Sequence, residues 1–211
     1  MSQILLDYLL VIIAIAVSWS YRPHPPPEDD SVGGNTALGP SLQGPAAVSK
    51  AGPSTAGGVS APVARVLGRI CLASGYTGID TFLVGARESY EIIVQAFASG
   101  ELEPHAYLLS ESVGQTFAAA ILARQARGET CELTFICFQE VDIADAVLDN
   151  DTAQISVRFR SHVVSATRDS LGKVVAGDPL RVVQVAELWT YERELRSRAP
   201  HWVLVGTETI D

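Results

Sequence analysis

Between residues 80 and 98 apolar side chains recur every three to four positions, with Phe82, Leu83, Ala86, Tyr90, Ile93, Val94 and Phe97 on one side. This period predicts an amphipathic helix, for which Asp80 is a suitable N-cap and Gly100 a suitable stop. Pro104 then opens a turn or short helix through His105–Leu109, and Ser110 caps a second long helix whose Val113, Phe117, Ala120, Ile121 and Arg124 share a face until Gly128. Beyond residue 131 the period changes to two, in Leu133–Phe138, Val141–Val147 and residues 153–163, with a turn at Asp149-Asn-Asp151. A second turn near Ser170–Lys173 leads to Val174–Ala176. Gly177-Asp-Pro179 breaks the run, and a long strand from Leu180 to about Glu194 pairs with His201–Glu208 across Arg198–His201. Helices first and a meander afterwards predict an α+β domain, its helices packed on one face of a four-stranded, mainly antiparallel sheet.

The remainder of the chain has a different character. Residues 4–19 form an apolar run broken only by Asp7, near the minimum length for a membrane helix, with Trp19 and Tyr21 placed as interfacial rings. Met1-Ser-Gln3 holds no Lys or Arg, which favours an uncleaved anchor over a secretory signal. Arg22 and His24 favour a cytoplasmic flank, putting the amino terminus outside and the domain inside. From Pro23 to Pro62 there are eight prolines and seven glycines and few large apolar residues, a composition that cannot offset its ordering entropy and reads as a flexible tether. The expected plan is an anchor at 1–22, a linker at 23–61, an amphipathic helix within 62–78 and a domain at 79–211. In the third segment Val63, Val66, Leu67 and Ile70 share a side flanked by Arg65 and Arg69. That helix can lie on anionic lipid, with Arg65 and Arg69 as its membrane contacts, or it can cap the domain.

Charge and chemistry narrow the function. The 211 residues carry a net charge of -9, which repels phosphate backbones and argues against nucleic acid as a partner. Cys131 and Cys137 fall six apart on one expected strand, on one face but about 20 Å apart, and read as small buried hydrophobes rather than a disulfide. The four histidines stand far apart in sequence without zinc-site spacing; of the acidic pairs Asp142/Asp145 and Asp149/Asp151, the latter falls in an expected hairpin turn without the calcium-loop pattern; and there is no phosphate-binding glycine motif or nucleophile elbow. No metal, cofactor or catalytic residue is assigned.

Binding is the better prospect. Phe135, Phe138, Phe159, Val185, Trp189 and Tyr191 can line a concave sheet face that receives a lipid tail or peptide, or can be ordinary core. Arg158, Arg160, Arg168 and Arg193 fall on or beside strands, where they can recognise carboxylates or pair with acidic neighbours.

The stretch Asp80–Gly100, with Ala153–Phe159, Ala166-Thr-Arg-Asp169, Gly177-Asp-Pro179, Trp189-Thr-Tyr191 and Trp202–Val205 in the same order, resembles bacterial members of the Tim44-like family over about residues 79–208. The resemblance implies a cone-like (NTF2-like) α+β body with a cleft. It also implies a single-pass protein of the bacterial cytoplasmic (inner) membrane, acting there as an adaptor rather than a catalyst. Its partners would be membrane lipids and a membrane or envelope protein, such as a translocase subunit or an Hsp70-type chaperone. The alternatives are a lipid or small hydrophobic ligand module and a ribosome-associated membrane receptor. By matching position, Phe82, Tyr90, Phe97, Phe117, Phe159, Trp189 and Trp202 are core or cleft residues. Arg158, Arg168, Asp169, Asp178 and Arg193 are the polar positions that orient hairpins or receive a partner.

Overall fold

A computed structural model describes residues 59–74, 78–197 and 201–210. The expected anchor, with Trp19 and Tyr21, and nearly all of the expected linker lie outside the described residues. Among those described, no helix is long and apolar enough to cross a membrane.

Three α-helices precede the sheet. Helix α1 (Ala61–Ser74) buries Leu67 and Ile70 and packs on the first strand, so its apolar side caps the domain while Arg65 and Arg69 stay exposed. Helix α2 (Ile79–Ser99) is capped by Gly78 rather than Asp80, which instead sits in the first turn, where a carboxylate still favours the helix dipole. It ends as expected at Gly100, whose φ of 86° lets its N–H return to the Ala96 carbonyl. A 3-10 helix (Glu103–Leu108) follows with Pro104 in its first turn. Helix α3 (Glu111–Ala126) begins at Ser110, whose hydroxyl accepts the Val113 N–H at 3.3 Å. Arg124 is buried beneath α3 and donates through Nη2 to the carbonyls of Phe97 (2.9 Å) and Ala98 (2.8 Å). A cation thus closes the carboxyl end of α2, and its guanidinium lies 5.5 Å from the Phe97 ring centre.

The sheet has five strands among the described residues, one more than expected: β1 (Thr130–Asp149), β2 (Thr152–Arg168), β3 (Val174–Gly177), β4 (Val183–Glu194) and β5 (Val203–Thr209). Each named pairing is antiparallel, in the order β1-β2-β4-β5, and β3 joins the same side of β2 beyond β4. The extra strand arises because Gly177 (φ 74°) and the Asp178-Pro179 turn divide one edge in two; β4 consequently starts at Val183, not Leu180. Alternate residues of β2 and β4 face the helices: Ala153, Ile155, Val157, Phe159 and Ser161, and Val185, Glu187, Trp189, Tyr191 and Arg193.

Strand β1 departs from simple alternation. Register shifts at three points, between Phe135 and Cys137, Phe138 and Glu140, and Ile143 and Asp145, each turn the following residues over. The side facing the helices therefore runs Phe135, Phe138, Val141, Ile143, Ala146 and Leu148. The first bulge places Cys131 and Cys137 on opposite faces, contrary to the unbroken-strand reading. Cys131 is half-buried, and Cys137 is exposed with its Sγ 3.8 Å from His162 Nδ1.

Gly177 is the position where the chain requires glycine. A Cβ there would meet the Ser165 carbonyl oxygen at 2.3 Å, in a left-handed conformation that other residues resist. Gly177→Ala is expected to lower stability by about 2–4 kcal/mol, read as a lower denaturant midpoint at unchanged slope.

Candidate functional site

The position of α2 on the sheet is fixed by polar groups inside an aromatic core. Tyr90 is 2% exposed, and its ring centre lies 4.5 Å from that of Trp189, 4.7 Å from Phe159 and 5.4 Å from Phe138. Its hydroxyl donates to Glu187 Oε2 at 2.7 Å. With the phenol proton so committed, Ser161, 3.0 Å away, donates in turn to the Tyr90 oxygen. Burial pushes the Glu187 carboxyl upward, opposed by the Tyr90 hydrogen bond and by the Trp189 indole, which lies outside hydrogen-bond geometry. Burial raises the Tyr90 phenol well above its usual value, and the nearby Glu187 carboxylate adds to the rise. At the preceding residue of α2, the hydroxyl of Ser89 stands 3.0 Å from that of Tyr191 on β4, and both are within reach of the Ala86 carbonyl. Desolvation also raises the Tyr191 phenol.

Beside this second cluster the structure opens a cleft of about 300 Å³, at the small end of ligand-site sizes. One flank of α2 supplies Thr81, Phe82, Gly85, Glu88, Ser89 and Ile92. The 3-10 helix adds Tyr107 and Leu108, β4 adds Tyr191 and Arg193, and the approach to β5 adds His201 and Trp202. Phe82 holds the floor, edge-on to Trp202 (4.9 Å) and Tyr191 (5.9 Å), while Tyr107 meets His201 edge-on at 6.0 Å. A Cβ added to Gly85 would meet nothing within 4 Å, so the space is open at the helix itself. The Trp202 indole N–H is buried and finds no acceptor among the described residues. An apolar floor with hydroxyl, carboxylate, guanidinium and imidazole groups around it suits a ligand that is itself part apolar and part hydrogen-bonding.

The expected site residues separate into four groups. Phe159 and Trp189 are fully buried core and offer no surface. Arg158 and Arg168 lie away from the cleft, in ion pairs with Asp142 (2.9 Å) and Glu132 (3.1 Å); Arg160 likewise pairs with Glu140 (3.2 Å). Tyr191 and Arg193, 1% and 7% exposed, contribute to the cleft wall. Asp169 and Asp178 accept backbone N–H groups within their own turns. Glu88, Ser89, Tyr107 and His201 were not anticipated. The available signal was Gly85: a glycine inside a strong helical pattern costs about 1 kcal/mol and marks a place where side-chain volume is absent. Among the described residues no group of three or more His, Cys, Asp or Glu is placed to hold a metal ion.

A family model described as the Tim44-like domain matches residues 66–209, most of the chain. The chain belongs to the Tim44-like domain family. Within the Tim44-like domain so defined, the match begins inside α1 and runs to the last residue of β5. Among solved structures, the crystal structure of the intermembrane space region of the chloroplast protein ARC6 is similar at 11% sequence identity and a TM-score of 0.44. That similarity covers 64% of this chain and 97% of the other. The sequence matches no curated protein.

The buried carboxyl gives the Tim44-like domain a pH signature. A carboxyl raised above its ordinary 4.5 by folding contributes stability that is complete below that value and lost as pH rises through the folded-state value. Glu187→Gln keeps an acceptor for Tyr90 but removes the ionisation. The variant is therefore expected to gain stability relative to wild type as pH rises above the ordinary carboxyl value of 4.5. Denaturant unfolding of both proteins at a series of pH values above it checks this; an unchanged difference at every pH contradicts it. Asp142, raised by desolvation against the opposing pull of Arg158, leaves a residual slope of the same sign in both proteins.

Proposed function

We propose that the protein is a membrane-tethered adaptor whose Tim44-like domain binds a protein partner at the bacterial cytoplasmic membrane, and that the cleft beside α2 receives an extended segment of that partner. The observation that carries this reading is the mixed lining of the cleft. Phe82, Ile92 and Leu108 offer apolar contact, while the exposed Thr81, Glu88 and His201 offer donors and acceptors at the same opening. A hydrocarbon tail would leave these polar groups without partners, at a cost in affinity; a peptide segment uses both kinds of contact. The reading accordingly favours a protein over an acyl chain as the occupant. Family membership supports the adaptor role in general terms, and the apolar run at 4–19 with its Pro/Gly-rich continuation supports tethering. A tether makes a weak contact effective by raising the partner's local concentration. Protein translocation or membrane-protein assembly is the process in which such an adaptor fits, with a translocase subunit or an Hsp70-type chaperone as the first partners to test.

The experiment is photocrosslinking in intact membranes from reactive groups at Glu88 and Tyr107, which are exposed at the rim. It is repeated in Gly85→Phe, which fills the open space without a steric conflict at Cβ and replaces a poor helix former. A specific protein adduct is expected from both positions. It should fall at least tenfold in Gly85→Phe while the thermal midpoint stays level or rises. Adducts that persist in the filled variant, or lipid captured in place of protein, would contradict the assignment.

A further inference from the structure

The rings at the cleft beside α2 are not all spent on packing. Phe82 and Tyr191 are buried beneath it, but Tyr107 is 55% exposed and Trp202 half-buried. Tyr107 belongs to the 3-10 helix and Trp202 to the approach to β5, so rings from separate segments border one space of about 300 Å³. From α2 the same space receives Glu88, exposed and without a hydrogen bond or ion pair among the described residues. Gly85, one turn before it, keeps that flank of the helix open.

The Glu88 carboxylate contrasts with those of the sheet, where Glu132, Glu140 and Asp142 each meet a guanidinium. Arg87, the residue before Glu88, does not line the cleft. Arg193 does line it, but is 7% exposed and engaged in an interaction of its own. A free carboxylate beside aromatic faces is a site for a cation. Ring faces carry negative potential, tryptophan most strongly, and the carboxylate adds a charge-assisted hydrogen bond. The chain's net charge of -9 draws cations towards the molecule.

We propose that the bound segment is anchored by an arginine of the partner, its guanidinium against Tyr107 and Trp202 and hydrogen-bonded to Glu88. The proposal rests on the reading of the cleft as a peptide site and adds the side chain that the site selects. A guanidinium is planar, stacks on rings and offers paired donors to a carboxylate, whereas an ammonium brings a point charge alone. An acidic side chain in the same place would be repelled by Glu88, and an aliphatic one would use neither the carboxylate nor the potential of the ring faces.

The test uses the full chain in nonionic detergent at pH 8, which leaves unperturbed imidazoles neutral. The probes are the peptide Ser-Leu-Arg-Leu-Ser, blocked at both ends and carrying an uncharged fluorophore, and its twin with citrulline, which keeps the shape of arginine and removes the charge. By fluorescence anisotropy the arginine peptide is expected to bind at least about fivefold tighter, a difference of about 1 kcal/mol. Glu88→Gln should remove that difference by weakening the arginine peptide alone, and Tyr107→Leu should weaken it about threefold or more. Gly85→Phe should abolish binding of both peptides. Equal affinities, or an arginine preference that survives Glu88→Gln, would overturn the arginine anchor; if Gly85→Phe still abolished binding, the cleft reading would stand without it. Binding unaffected by Gly85→Phe would overturn both together. No binding of the arginine peptide would overturn the anchor, while photocrosslinking from the rim judges the cleft reading separately.

Discussion

The hydrogen bond from Tyr90 to Glu187 is the constraint on which the rest of the domain depends. It joins the middle of α2 to the middle of β4 inside a core of Trp189, Phe159 and Phe138. A buried carboxyl tolerates such a site only when its oxygens find donors, so the pair is specific in a way that apolar packing alone is not. Aromatic burial supplies most of the attraction between helix and sheet. The Ser161, Tyr90 and Glu187 chain sets the rotation at which they meet. That rotation puts Phe82, Ala86 and Tyr90 towards the sheet and leaves Thr81, Gly85 and Glu88 on the flank that borders the cleft.

The two faces of the sheet solve different problems. Towards the helices, β2 and β4 present large side chains in strict alternation, while β1 bends through three bulges to keep its apolar residues in the same layer. A 20-residue edge strand is also a template for unwanted pairing, and bulges that disrupt its ladder blunt that hazard. On the opposite face, cross-strand pairs such as Arg158 with Asp142, Gln154 with Glu192 (2.8 Å) and Ser156 with Thr190 (2.9 Å) satisfy polar groups in register. Such half-exposed pairs contribute modestly to stability, but they penalise a slip by one residue, which would place charges against the core.

Much of this was legible in the sequence, and the exceptions have physical reasons. The helical period of α2, the Ser110 cap, the Gly100 stop and the Asp149–Asp151 turn are local signals, and each appears where its chemistry places it. The bulges of β1 were hidden because Phe135, Phe138 and Val141 are spaced by threes, a spacing that resembles neither a strand nor a full helix. Asp80 and Gly78 compete for one cap, and the backbone chose the glycine. Trp189 and Phe159 are core because they face helices, which composition alone does not reveal. The cleft draws on four segments far apart in sequence, so only the fold assembles it; membership of the Tim44-like family, by contrast, is carried by residues in common order along one chain.

The functional account follows from the same geometry: a rigid helix–sheet joint holds an amphipathic cleft at one place. Its central physical claim is that Tyr90 and Glu187 act as a unit. A double-mutant cycle of Tyr90→Phe and Glu187→Leu, each of which removes the hydrogen bond, read by denaturant unfolding at neutral pH, tests this most directly. The account predicts a coupling of about 1–2 kcal/mol between the two sites. Additivity within about 0.5 kcal/mol would show that aromatic packing alone positions the helix, and would contradict it.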